Sequence, residues 1–425
     1  MRKFMALWLL LLPCVLTGQL TTDQVPRERT IATHDQVKQV VDKSQFRLGP
    51  FRVIPFLQIT DAGYTDNALG TSDQVPKIDD YYAIVAGGVR WAVPAGAKLF
   101  VQGEIRPEYD WSENFPERRT FGGRYQVSLL GFFNRLTFEL GGFNAKSIDL
   151  LNTQTQIQVI HTVRNGAAKV EIELTRNLSA YAGAEIQRHR YGFGGPLPSV
   201  DPGTSFDVSL LNRTEGAARA GVRLRFSPSL DVTAGVEGNR TEFTRASLAG
   251  DNEGNAYLIG LHYDRPRFFI NLSGGYREGR PYNGSRFPTF STPTGSYFAS
   301  YFVTRKVEVQ AYGGRTFIYG LFFNNPYYIE TSNGVALNVG AGTRVTLRGF
   351  GEYSENTSPR AVALNNTRVV ERKDRGTVYG GGFSTTLFRK MMFTALASKS
   401  RYTSNLGGFS RSTLRISGAL TVFGQ

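Results

Sequence analysis

A period of two that never gives way to a fully apolar strand constrains this chain more than any other feature. In KVEIELTRNLSAYAGAEI (169–186), Val170, Ile172 and Leu174 alternate with Lys169, Glu171 and Glu173. After a turn at Arg176–Asn177, Leu178, Ala180, Ala182, Ala184 and Ile186 alternate with Ser179, Tyr181, Gly183 and Glu185. Such alternation means strand, with one apolar and one polar face. It recurs. Ala220, Val222, Leu224 and Phe226 share a strand with Arg219, Arg223 and Arg225, and Val335, Leu337, Val339 and Ala341 alternate with Ala336, Asn338 and Gly340. Leu414, Ile416, Gly418, Leu420 and Val422 alternate with Arg415, Ser417, Ala419 and Thr421. A sandwich of this size needs some strands covered on both faces. Here each keeps one wet face, as a closed ring around water requires.

Turn spacing supports the ring. Tight turns fall at Pro94–Gly96, Asn134–Arg135, Arg176–Asn177, Ser227–Ser229, Asp264–Arg267, Thr304–Lys306, Thr343–Val345 and Arg389–Lys390. They alternate with longer stretches such as Thr65–Asp79, Gly192–Leu211, Arg280–Thr294, Gly320–Glu330 and Pro359–Glu371. The repeat is roughly 40 residues, which a β-propeller also gives, but each repeat holds two long strands rather than four short ones. Strands of roughly 10 to 14 residues joined in this way describe an all-β, up-and-down antiparallel transmembrane barrel of about 18 strands, with 16 as the alternative. Lipid is expected on the Val170 side and a water-filled lumen on the Glu171 side. Aromatics cluster at both strand ends, forming candidate girdles. Trp91, Phe132, Phe133, Phe226, Tyr263, Phe268, Phe302 and Phe388 lie near the turns; Tyr109, Trp111, Tyr191, Phe243, Tyr276, Tyr319, Tyr353 and Tyr402 lie near the loops.

Residues 1–18 read as a signal peptide, with Arg2 and Lys3 ahead of the apolar run Phe4–Leu12. The single cysteine, Cys14, falls inside it, so the exported chain is expected to hold together without disulfides. Residues 19–48 form a polar lead-in in which His34–Lys43 can make a short helix with Val37, Val40 and Val41 on one side. The barrel then occupies 49–425.

The stretch LGPFRVIPFLQITDAGYTDNALGT (48–71) is similar to the opening strand of bacterial outer-membrane β-barrel porins found beside exopolysaccharide genes. The resemblance rests on Gly49, Pro50 and Phe51, then Gly63, Tyr64, Asp66 and Asn67; Ala68 and Leu69 depart from the larger residues usual in that family. It implies outer-membrane placement and a role in passing or securing extracellular polysaccharide.

No catalytic pattern accompanies this architecture. His34, His161, His189 and His262 lack metal-ligand spacing, and neither a nucleophile elbow nor a phosphate loop occurs. No enzyme activity and no cofactor is expected, and in "QRHRYG" His189 reads as a surface residue. The formal net charge is +14. In an exported barrel this points away from nucleic acid and toward membrane lipid and anionic solutes or polysaccharide. Arg135, Arg176, Arg265, Arg267, Arg305, Lys306, Arg344, Arg389 and Lys390 crowd one rim, where anionic headgroups of the inner leaflet are a candidate partner. Pore-lining candidates on the polar face are Arg219, Arg223, Arg225, Arg348 and Arg415, set against Glu171, Glu173, Glu185, Glu237 and Glu352. Rings of arginine favour anions. Glycan-stacking candidates in the long loops are Tyr282, Phe287, Phe290, Phe322, Phe323, Tyr327 and Tyr328. Two functions compete on these grounds: a polar channel biased toward small or oligomeric anions, and a non-conducting barrel that binds, secures or helps export polysaccharide.

Overall fold

The structure is a computed structural model describing residues 33–42, 44–151, 158–193, 207–245, 250–322, 325–365, 368–387, 391–406 and 408–423. After a helix, His34–Asp42, and the short strand β1 (Phe46–Leu48), eighteen strands follow as a simple meander. They are β2 (Phe51–Thr65), β3 (Asp80–Ala95), β4 (Leu99–Ser112), β5 (Thr120–Phe132), β6 (Leu136–Leu150), β7 (Gln158–Glu173), β8 (Leu178–Gly192), β9 (Arg213–Ser227) and β10 (Leu230–Phe243), and then β11 (Asn252–Arg265), β12 (Phe268–Pro281), β13 (Phe290–Phe302), β14 (Val307–Phe322), β15 (Asn325–Ala341), β16 (Val345–Asn365), β17 (Arg368–Leu387), β18 (Met391–Ser404) and β19 (Arg411–Phe423). Each pairs antiparallel with its successor, and β19 pairs antiparallel with β2. The ring is closed, so its backbone groups find partners without water, which is what a membrane-spanning sheet requires.

Every tight turn read from the sequence that falls among the described residues joins two strands, and side chains alternate as expected. Ile186, Val222, Val236, Ile259, Val335 and Ile416 point outward and are exposed, forming the lipid-facing band. Strand lengths differ from the sequence reading, at 13 to 21 residues. The difference lies at the loop end. Gly320–Glu330 and Pro359–Glu371 are not open loops, because β14–β15 and β16–β17 continue through them as extended hairpins. Their backbone ladders continue where irregular sequence suggested a break.

The aromatic girdles are half right. Phe133 and Phe226 at the turn end and Trp111, Tyr276 and Tyr353 at the loop end are exposed on the outside. Tyr191, Phe243, Tyr319 and Tyr402 instead face inward and pack in the barrel mouth, and Phe132 lies in the lumen at the turn end. A ribbon that extends beyond the bilayer and bends over the lumen needs an apolar inner face there. Phe388, Arg389 and Lys390 lie outside the described residues.

The seam between first and last strands holds the motif residues of the opening stretch. A bulge at Thr60 shifts the register between Ile59 and Asp61. It turns Asp61 into the lumen; without it, that carboxylate would share the lipid face with Leu57. Gly63 lies against β19, where an added Cβ would run into the Ile416 carbonyl and come within 2.7 Å of Ser417 Cα. Above it Asp66 accepts the Leu414 amide at 2.7 Å, and Asn67 donates to the Ser412 carbonyl at 3.3 Å while folding its own loop onto Thr71. β1 pairs with Arg52 and its neighbours where β19 has ended, and so continues the seam at the turn end. Gly63→Val is therefore expected to abolish closure. The variant should lose the fast-migrating form on unboiled gels, whereas Gly349→Val, at a position where an added Cβ meets nothing within 4 Å, should keep it.

Candidate functional site

Lumen-facing positions carry most of the charge, and the register places opposite charges side by side. Arg223 on β9 contacts both Glu171 oxygens at 3.0 Å and lies 4.0 Å from Asp231. Four residues along, Arg219 sits between Glu185 at 3.7 Å and Glu237 at 3.5 Å. Glu185 also accepts from Asn165 and Gln187. Arg415 on β19 is held by Asp61 and by the Tyr82 hydroxyl, 2.6 Å away. Glu352 accepts from Tyr312 at 2.5 Å, with Arg348 close enough to act on it electrostatically. Arg225 and Glu173 lie exposed at the turn end. The predicted pore-lining residues are thus on the lumen side, but Arg219, Arg223 and Arg415 do not form a bare positive stripe. Arg219 and Arg223 are each bracketed by carboxylates from two other strands, and Arg415 is held between Asp61 and the Tyr82 hydroxyl.

At the loop end the mouth is narrowed from within. Tyr319 on β14 donates to Thr241 Oγ1 at 2.8 Å and approaches Asn252 Oδ1 at 3.1 Å, on β10 and β11, four and three strands away. Only a side chain reaching across the inside can do this. Phe317 stacks on Phe290 at 4.4 Å and on Tyr327 at 4.7 Å, and Phe287 joins them. Nearby, Val208 and Leu211 of a short turn bury against Leu151, Val159 and Phe243. The Asp207 carboxylate caps that turn, accepting from the Ser209 amide and hydroxyl, and pairs with Arg245 at 2.5 Å. The Ser209 hydroxyl holds the Asp207 carboxyl below its usual range, burial opposes this, and the amide and Arg245 add to the lowering. Arg118 is buried, donating to the Ala68 carbonyl and to Gln158, the neighbour of Val159; loss of water lowers its guanidinium pKa.

These contacts place the glycan-stacking candidates. Phe287, Phe290, Tyr327 and Tyr328 are buried within the mouth. Tyr282 lies under the Arg240 guanidinium, 3.6 Å from its ring centre. Phe323 lies outside the described residues, as does the side chain of Phe322. His189 is not a surface residue. It points inward, its Nδ1 3.1 Å from His161 Nε2, while His161 Nδ1 faces Asp149 at 3.1 Å and Tyr191 stacks on His161 at 4.3 Å. Positions 28 apart in sequence meet only through the β7–β8 register, so spacing gave no hint of the pair. Among the described residues no group of three or more His, Cys, Asp or Glu is arranged to hold a metal ion.

At the turn end the lead-in helix closes on the wall. Thr33 and Gln36 form a reciprocal capping box, at 3.3 and 2.8 Å, which starts the helix. Val37 is fully buried against Phe100 and Leu130, with Val41 and Phe132 beside it. His34 meets the rings of Phe100 and Phe132 edge-on, at 5.5 and 5.3 Å. Phe100, Leu130 and Phe132 alternate with lipid-facing residues, so the helix lies on the lumen side.

The sequence matches no protein-family model and no curated protein. The fold has counterparts among solved channels. Pseudomonas aeruginosa OccK2 (OpdF), in complex with glucuronate, is 12% identical over 90% of this chain and 100% of that one, with a TM-score of 0.51. P. aeruginosa OpdK with vanillate is 12% identical over 88% and 99%, with a TM-score of 0.51. A BenF-like porin from Pseudomonas fluorescens Pf-5 is 10% identical over 88% and 99%, also at 0.51. At such identities the likeness is one of fold: a closed, porin-type antiparallel barrel. No described helix is long and apolar enough to cross a membrane. The strands cross it, and a closed barrel with an outward apolar band is an outer-membrane protein.

Two measurements check this geometry. Val37→Asp places a charge in the apolar contact, where burying a valine contributes roughly 1.5–3 kcal/mol, and should raise single-channel conductance while leaving heat-modifiable migration intact. For Asp207, a carboxyl held below its usual range, about 3.9, contributes stability above that range and loses it as pH falls through the lowered value. Protease access to the 207–211 turn should therefore stay constant from pH 7 to 5 and rise only below about 4; Asp207→Asn should raise it at neutral pH.

Proposed function

We propose that the protein is an outer-membrane channel for small polar solutes that carry a carboxylate. The observation that supports this best is the Arg219–Arg223 ladder on β9, facing the lumen with carboxylates on either side. A ring of 18 strands is wide enough to leave an aqueous path, and the inward hairpin and the helix reduce it to a selective one. A guanidinium already paired with a protein carboxylate can exchange that partner for a solute's. The exchange replaces one charge-assisted pair by another and requires no bare charge to be desolvated. The glutamates beside the ladder then accept from hydroxyl groups of the passing molecule. That OccK2 and OpdK have been solved with glucuronate and vanillate, both carboxylates, agrees with this choice of solute class. The competing function, a closed barrel securing polysaccharide, has less to stand on, because three of the mouth aromatics that suggested it, Phe287, Phe290 and Tyr327, are buried against one another.

The test is electrical and chemical. Reconstituted barrels in a salt gradient should show a reversal potential of anion-preferring sign, and sugar acids should enter loaded liposomes faster than the neutral sugars. Arg219→Gln with Arg223→Gln should lower sugar-acid flux by about tenfold, corresponding to roughly 1.4 kcal/mol, with neutral flux unchanged. Cation preference, or equal loss of both fluxes, overturns the proposal.

A further inference from the structure

The outward faces of β7 and β8 carry a charge arrangement unlike that of the lumen. Arg164 and Arg188 are directly opposed in the β7–β8 register, and Arg190 follows Arg188 on the same face. All three are exposed, and none is in an ion pair among the described residues. The lipid-facing positions of β7, β8 and β9 include no carboxylate: after Val170, Ala168 and Gly166 comes Arg164, after Ala182, Ala184 and Ile186 come Arg188 and Arg190, and Thr214 and Gly216 adjoin them. Like charges placed directly opposite repel. In the lumen the same residue type is neutralised by glutamate; here no described residue performs that role.

The level of the patch identifies the missing counter-charge. Arg188 lies ten residues beyond Leu178, where β8 starts at the turn end. That is about 25 Å along the membrane normal for a strand tilted by roughly 40°, the height of a barrel's apolar band. The arginines therefore stand at the outer headgroup layer, while the faces below them are apolar. Beside and beneath them the wall is hollowed. Ile186, Gly216, Ala218 and Gly238 line the apolar part of an outward trough of about 580 Å³, whose remainder is polar and carries Arg240, Asn255 and the Arg280–Glu253 pair; a Cβ added at Gly216 would meet nothing within 4 Å.

We propose that this surface is a binding site for a phosphorylated glycolipid of the outer leaflet, its phosphates held by Arg164, Arg188 and Arg190 and one acyl chain lying in the Gly216–Gly238 trough. Guanidinium groups pair with phosphate in two-pronged fashion, and three of them within two strands match a headgroup with more than one phosphate. The site lies on the outside of the wall and is independent of what passes through the lumen.

The experiment uses the full barrel in zwitterionic detergent, with four probes: a bis-phosphorylated acylated glucosamine disaccharide, its mono-phosphorylated form, the phosphate-free form, and inorganic pyrophosphate. The wild type should bind the bis-phosphorylated lipid saturably, the mono-phosphorylated form more weakly, and the other two not detectably. Each of Arg164→Gln, Arg188→Gln and Arg190→Gln should weaken binding about fivefold, and all three together about a hundredfold. Arg→Lys at all three positions should restore most of the loss, and Gly216→Leu should weaken lipid binding by blocking the trough. Unboiled gels establish that each variant is folded; if the triple variant fails to fold, the single ones carry the test. Triple-variant binding within twofold of wild type overturns the site. Equal binding of the phosphate-free lipid reduces it to an acyl groove, and equal binding of pyrophosphate to a free-anion site; either result overturns the proposal.

Discussion

Closure of β19 onto β2 is the condition on which the rest depends. An open sheet of this length would present two unpaired edges to hydrocarbon, where each unsatisfied backbone group costs several kcal/mol. The chain solves this at the seam with local devices: a glycine where the strands approach too closely for a Cβ, a bulge that moves Asp61 from the lipid side to the water side, and Asp66 and Asn67 clasping the amide and carbonyl groups of β19. The Gly-Tyr-x-Asp-Asn stretch therefore has a structural reading in this molecule that requires no substrate. Gly63, Asp66 and Asn67 are the fastening, and Tyr64, packed on Tyr81 at 5.1 Å, continues it on the outside.

Strand number, turn placement and facing were legible because each depends on short-range pattern. A two-residue period states which side chains are wet, and short polar breaks state where the chain reverses. The hairpin ends and the mouth were not legible, because they depend on three-dimensional return. Gly320–Glu330 contains the same Tyr, Phe and Asn residues whether it is a loose loop or a ladder. Only the reach of Tyr319 to Thr241 and Asn252 shows that it bends inward. The His161–His189 contact was hidden for the same reason. Local sequence put His189 between two arginines and so suggested a surface, but the period of two places those neighbours on the opposite face.

The sequence places charges on the polar faces one residue at a time and does not show how they pair. Counting arginines along β9 gives a positive stripe, whereas the ring sets Glu171 and Glu185 on one side of that strand and Asp231 and Glu237 on the other. A lumen wall faces confined water, where an isolated charge is less well solvated than in bulk, so neutralisation from adjacent strands is the stable arrangement. On the proposed reading of the channel, selectivity resides in which pairs a solute can enter.

The outer wall obeys the opposite rule. Lumenal arginines find glutamates because both faces of the channel come from the same chain, and the register can bring complementary residues together. A lipid-facing arginine has only its immediate neighbours and the bilayer. On β7 and β8 those neighbours are alanine, glycine, threonine and more arginine, so the charge is either left to solvent or completed by the membrane itself. The stretch Arg188-His189-Arg190 condenses both rules into three residues. The middle side chain is enclosed by protein partners in the lumen, and the outer two are turned toward a surface whose composition the chain does not control.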